Sequence, residues 1–400
     1  MATILRSGTI RTIAGTGDPG YAGDGGQPDR ISLNEPKGTA IDSLGNVLIV
    51  DSENHVIRRI DRITGIISTV AGVADGESLM PEVRQEAGAF QPMSEDPFAE
   101  MSPAMQNYGQ QADLSGTVRY IINGTAARDR FGGDGGPATG ARLNFPTAVV
   151  IDGRGNLYIA DTMNHRIRFV EAGTGMISTL AGVGQPRYSG DGGPAVAAGL
   201  NEPAALALDG RGTLYVADQS NNRVRAIDLE TRMIRTAVGT GSATYNGDGM
   251  QATVAAVAGP SGLACADDGT LFIADTFNGR IRAVDPATGL IRTVAGDGGE
   301  YRYQGDAEPP SASLSRPSGI AVDQDGNLYL TDSDNHLIRK WNRGNGVLER
   351  VAGVGATGFS GDGGPALQAA LNYPFGIAVD RDGRLVVADT FNHRLREIAQ

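Results

Sequence analysis

The sequence predicts an all-β fold, a six-bladed β-propeller of four-stranded blades, and three observations carry the prediction. One phrase recurs six times, opening at Pro36, Pro146, Pro203, Pro260, Pro317 and Pro374; the last four intervals are 57 residues each and the first is 110. Repetition at this period belongs to solenoids, propellers and arrays. Each copy also holds four short apolar runs. In the fifth copy, Gly319–Asp323 and Leu328–Asp332 flank a hairpin turn at Gln324–Asn327, where Gly326 and Asn327 suit positive φ, and Leu337–Trp341 and Gly346–Gly353 follow. Four antiparallel strands per repeat make a propeller blade. Finally, Gly8–Gly15 has the form of a fourth strand, like Gly289–Gly296, while the last copy stops after its third. The N-terminal strand is therefore expected to complete the C-terminal blade, closing the ring and removing free sheet edges.

The 400 residues read as one propeller domain, interrupted once. Residues 73–117 carry eight acids against one base, Arg84, and show no strand alternation until Thr117–Ile122. They read as an insertion or a degenerate blade, so the alternative is a seven-bladed ring with its decayed member in 73–124. The 58 glycines belong in turns, which a repeat of short strands needs in number. With 46 acids against 34 bases the net charge is −12, which disfavours nucleic acid as a partner. The only lysines are Lys37 and Lys340, so nearly all positive charge is arginine, suited to fixed, paired roles.

Cys265 stands where the other copies have Ile41, Ile151, Leu208, Val322 and Val379, and reads as a small buried apolar residue rather than a nucleophile. No stretch has the apolar length of a membrane span. Residues 1–6 lack the apolar core of a signal peptide, so the chain is either cytoplasmic or processed from a secreted or periplasmic precursor, with the second setting favoured.

A second phrase joins each fourth strand to the next first strand, as in Tyr188-Ser-Gly-Asp-Gly-Gly193. An aromatic precedes Asp24, Asp134, Asp191, Asp248, Asp306 and Asp362 by three residues every time. Calcium is one reading of these carboxylates. The favoured one is structural, each carboxylate accepting bonds from its own turn's amides, because one Asp per loop offers too few oxygens.

A third phrase follows the second strand, as in Asp389-Thr-Phe-Asn-His-Arg-Leu-Arg396. Each copy places an Arg seven residues after an Asp: Asp51 and Arg58, Asp161 and Arg168, Asp218 and Arg225, Asp275 and Arg282, Asp332 and Arg339, Asp389 and Arg396. Each pair is expected to tie second strand to third, with the Asn side chain satisfying turn backbone. This Asp, Asn-His, Arg pattern resembles the NHL-repeat family, and the resemblance covers nearly everything except residues 73–117. It implies a six-bladed propeller that commonly works as a binding or scaffold module.

All four histidines, His55, His165, His336 and His393, occupy one point of the third phrase, with Asn222 and Gly279 in the other two copies. The favoured reading is packing at a blade top and bonding to the neighbouring turn. Resemblance to the peptidyl-hydroxyglycine lyase, a relative with similar blades, implies the alternative of zinc on these imidazoles. Resemblance to the gluconolactonase and strictosidine-synthase propellers implies a calcium-dependent hydrolase. Against that, the first strands enter the channel with Gly38, Ala148, Ala205, Gly262, Gly319 and Gly376, and no Glu, Asn and Asp converge there. No cofactor is favoured, zinc and calcium being the alternatives.

Residues that differ between copies mark the candidate binding surface. The loops from fourth to first and from second to third strands are expected on one face, around the channel mouth. Beside the prolines these residues are Glu35, Lys37, Phe145, Glu202, Arg316, Tyr373 and Phe375. In the other loop they are Glu53, Met163, Phe277, Asp334 and Phe391. Aromatics among scattered charges suit recognition of a protein, peptide, glycan or small molecule. The function read from sequence is a ligand-binding or protein-interaction propeller, the alternative being a metal-dependent lyase or hydrolase with its site at the same mouth.

Overall fold

The computed structural model describes residues 7–21, 24–74, 130–299 and 314–400. Among these, six antiparallel sheets form, each led from the inside by a strand that follows the residues at a repeat proline. Blade 1 comprises Pro36–Ile41, Val47–Asp51, Val56–Ile60 and Ile67–Ala71. Blades 2 to 5 begin at Ala148–Ile151, Pro203–Leu208, Gly262–Cys265 and Pro317–Val322 and repeat the pattern. Blade 6 runs Pro374–Val379, Leu385–Asp389 and Arg394–Ile398, and its outermost strand is Ile10–Ala14 from the other end of the chain. Ile10 pairs with Ile398 and Thr12 with Arg396, so the N-terminal strand covers the edge that the last copy leaves open.

The inner strands neighbour one another in ring order, blade 6 against blade 1 included. A Cβ added to Gly38 would stand 2.5 Å from the Thr147 carbonyl oxygen, so blade 1 meets blade 2 directly. That contact decides the blade number at six, because no seventh sheet fits between these two. The insertion itself, and the Thr117–Ile122 run within its C-terminal flank, lie outside the described residues from Asp75 onward.

The core is distributed. Six apolar clusters lie one at each junction between blades; Leu48, Val50, Val149 and Ile159 share the cluster between blades 1 and 2. Because sheets stack on both faces of a blade, the second strands are buried along most of their length, wholly so at Leu157–Asp161, and read as continuous apolar runs. In the hairpin of blade 5 only Gly326 takes positive φ (79°). Asn327, expected to share that role, instead donates through its side chain to the Asp323 carboxylate at 3.0 Å, closing the turn from within.

The loop of the second phrase wraps the outer edge of the blade that follows it. Gly192 donates its amide to Ile234 O at 2.8 Å, and Gly25, Gly135, Gly249 and Gly363 do the same in their own blades. The glycine after the aspartate is required there, since Gly192 sits at φ 78°. In the five blades whose loop is described, this loop thus blunts the exposed edge.

Candidate binding face at the channel mouth

The third phrase builds one unit per blade. Its Asp is wholly buried and accepts three kinds of bond. In blade 2, Asp161 takes the Asn144 amide at 2.7 Å, the Asn164 side chain at 2.9 Å and Arg168 Nη1 at 3.0 Å. The same Asp–Arg pair spans 3.7, 3.2, 3.2, 2.8 and 3.1 Å in blades 1, 3, 4, 5 and 6. Burial pushes the carboxyls of Asp51 and Asp332 up to about 6, and the other four in the same direction, against the pull of these donors.

The arginine has a second partner that sequence reading assigned elsewhere. Asp24, Asp134, Asp191, Asp248 and Asp362 are structural, but each bonds the third-strand arginine, and four of them a fourth-strand threonine, rather than their own turn's amides. Among the described residues, only the Tyr188 hydroxyl reaches its carboxylate, Asp191, from within the loop. Arg168 Nη2 donates to Asp134 at 2.7 Å, whose other oxygen accepts from Thr179 at 2.7 Å. Asp306 lies outside the described residues. The aromatic three residues earlier is clamped between two guanidiniums: the Phe131 ring lies 3.9 Å from Arg166 and 4.8 Å from Arg168. Tyr188, Tyr245 and Phe359 are clamped alike. The signal was present in the sequence as an Arg-x-Arg beside a constant aromatic.

The histidines join one blade to the next. Nδ1 of His55 accepts the Phe145 amide at 2.9 Å, and His165, His336 and His393 accept those of Glu202, Tyr373 and Glu35 at 3.1 Å each. Asn222 does the same for Gly259 at 2.9 Å. The position itself is left-handed, φ 51–59°, which favours His, Asn and Gly. Burial lowers His165 and His336 to about 4 and His393 in the same direction, so these three rings are neutral at pH 7. Three residues earlier, a hydroxyl reaches the same neighbour: Thr162, Thr276, Ser333 and Thr390 donate to the carbonyls of Pro203, Pro317, Pro374 and Pro36. Among the described residues no three His, Cys, Asp or Glu side chains are grouped as a metal centre requires.

What these clasps grip is the residue before five of the six repeat prolines, Gly279 having no side chain with which to reach Arg316. Glu35, Phe145, Glu202, Gly259, Arg316 and Tyr373 all have φ of 45–53°. Non-glycine residues in that region carry strain that the surroundings must hold. The second-to-third loop lies beside these six, the amides of Glu53, Met163, Ser220, Phe277, Asp334 and Phe391 donating to the carbonyls of the residues that precede the six. Blades 3 to 5 pair internally: Ser220 donates to Glu202 at 2.5 Å, Ser261 meets Thr276 and Arg316 lies 3.6 Å from Asp334. Blade 6 gathers aromatics: Tyr373 meets His336 and Phe391 at 4.6 and 5.2 Å, and Phe391 meets Phe375 at 6.4 Å. Phe145 is 5% exposed, more buried than a mouth residue was expected to be, with the Lys37 ammonium over its ring. Glu53 and Met163 are partly exposed and Phe277 is exposed. Cys265 lies in the first strand of blade 4, where burial pushes its thiol up to about 12, as befits a packing residue.

A six-bladed propeller whose repeated polar residues are spent on clasping blades defines the class. The NHL repeat family profile matches residues 143–168, 314–341 and 371–398, and the teneurin NHL domain profile matches residues 9–89. The chain thus carries NHL repeats on a six-bladed β-propeller. It is 33% identical over 270 residues to Protein SUPPRESSOR OF QUENCHING 1, chloroplastic, of Arabidopsis thaliana, across 64% of this chain and 25% of that protein. Identity to NHL repeat-containing protein 2 of Gallus gallus is 28% over 285 residues, across 64% and 38%. The alignments thus span less than two-fifths of these relatives' own length. Among solved structures, a gluconolactonase from Xanthomonas campestris superposes with a TM-score of 0.52 at 14% identity, covering 98% of both chains, which shows a shared fold.

Proposed function

We propose that this chain is a recognition propeller that binds a peptide segment of a protein partner at the mouth formed by its left-handed loops. The observation that carries the reading is a division of labour. The side chains that repeat are consumed inside the ring, as Asp–Arg pairs, Asn bonds and His or Thr clasps. Among those that differ between copies, Tyr373, Phe375, Phe391, Glu202, Arg316 and Asp334 stay partly open, and the Phe391 ring meets both Tyr373 and Phe375. Aromatic anchors flanked by charge are the composition of protein-binding surfaces. The clasps hold the loops before a ligand arrives, which lowers the entropy cost of binding.

Selection of a displayed peptide library on the folded chain tests the reading. Selected peptides should lose roughly tenfold or more in affinity on Phe375→Ala/Phe391→Ala, an anchor loss of the usual size. They should bind normally to Leu44→Ser/Ile63→Ser, which alters exposed apolar residues in the turns of the opposite face. A selection yielding no mouth-dependent binder would overturn it.

A further inference from the structure

The position after each repeat proline is equivalent in all six blades. Five hold Thr147, Ala204, Ser261, Ser318 and Phe375, and blade 1 holds Lys37. Five blades close without a charge there, so the lysine is not an architectural requirement. Its ammonium stands 5.3, 4.8 and 5.7 Å from the ring centroids of Phe145, Phe375 and Phe391. All three lie within the roughly 6 Å at which a cation is drawn to a ring face. The Glu35 carboxylate, 3.3 Å away, is its one hydrogen-bond partner among the described residues, although an alkylammonium carries three donors. Three aromatic faces and one carboxylate are the surroundings that select an organic cation.

The surroundings are held in place independently of the lysine. Glu35 and Phe145 take φ of 45° and 49°, and their amides are gripped by His393 and His55. Phe391 is fixed edge-on between Tyr373 and Phe375. The remaining charge at the mouth is acidic, Glu53, Glu202 and Asp334 against Arg316, and so favours a cation over an anion.

We propose that Phe145, Phe375, Phe391 and Glu35 form a recognition site for the alkylammonium group of a ligand, and that Lys37 is its tethered occupant, displaced when the ligand binds. The proposal rests on the mouth being the binding face. Lys37 has a flexible four-carbon stem and leaves behind one ion pair, which the incoming cation restores. A free quaternary amine and the lysine side chain of a peptide bring the same chemistry.

With only two lysines in the chain, modification of each is easily assigned, and Lys340, over the Tyr329 ring in blade 5, is the internal reference. Choline added to the full chain should speed reductive methylation of Lys37 severalfold and leave Lys340 unchanged. Lys37→Ala should bind choline roughly tenfold tighter than the parent, since the competitor is gone, and Phe391→Ala in that background should abolish binding. A lysine peptide and its norleucine counterpart, run in the same assay, separate the two sources: a response to choline alone assigns a small amine, and a response to the lysine peptide assigns a protein ligand. A Lys37 rate that no choline or lysine-peptide concentration alters, or a folded Lys37→Ala chain that binds choline no better than the parent, would overturn the proposal. Mouth-dependent peptides selected in the absence of any choline response would remove the ammonium site while leaving the binding face intact.

Discussion

Arg168→Ala examines the blade unit most directly. The guanidinium is wholly buried and holds Asp161 at 3.0 Å, Asp134 at 2.7 Å and the carbonyls of Gly132 and Arg142 at 3.1 and 3.3 Å. Removing it leaves Asp161 buried with only the Asn144 amide and the Asn164 side chain as partners. Breaking a buried pair from one side costs about 3–5 kcal/mol, and two carbonyls that lose their donor place this case toward the upper end. At the usual unfolding entropy per residue, a ring of this size should lose about 4–6 °C in melting temperature. The loss should also depend on pH. Asp161 already sits above its ordinary value because of burial, and Arg168 is what holds it down. Without the arginine its folded pKa rises further above the unfolded one, so the destabilisation is smallest at low pH and grows as pH rises through the new value. Thermal melts at pH 5 and pH 8 provide the assay. A variant that melts within a degree of its parent, or whose penalty is equal at the two pH values, refutes a buried ion pair as the tie between strands.

Two further outcomes follow from the clasps and the closure. His165 and His336 are held neutral to about 4, while unfolded histidine protonates near 6.5, so their contribution to stability is complete above the unfolded value and is lost as pH falls toward the folded one. His165→Asn/His336→Asn should keep the clasp, as Asn222 does, and gain about 1 kcal/mol apiece over the parent at pH 5 once screening is allowed for; superimposable pH–stability curves would disprove the linkage. Deleting residues 1–15 should uncover the Arg394–Ile398 edge and remove the buried Ile10 and Ala14, lowering the melting temperature by at least several degrees or causing aggregation, and an unchanged melt would show that the N-terminal strand does not close the ring.

Sequence alone determined the blade. The period of the prolines, the four apolar runs and the seven-residue step from Asp161 to Arg168 are local facts, because strand alternation and turn chemistry act over a few residues. They sufficed for the six sheets, the swapped N-terminal strand and the Asp–Arg ties. Only the tertiary structure decided what each blade does to its neighbour. That His393 grips the amide of Glu35, or that Lys37 stands over Phe391, joins residues more than 330 positions apart. Such meetings depend on where a closed ring returns the chain, which no repeat period encodes. The phrase that makes every blade alike says which residues are spent within it, while the asymmetry of the mouth exists only once six unlike copies are brought around one axis.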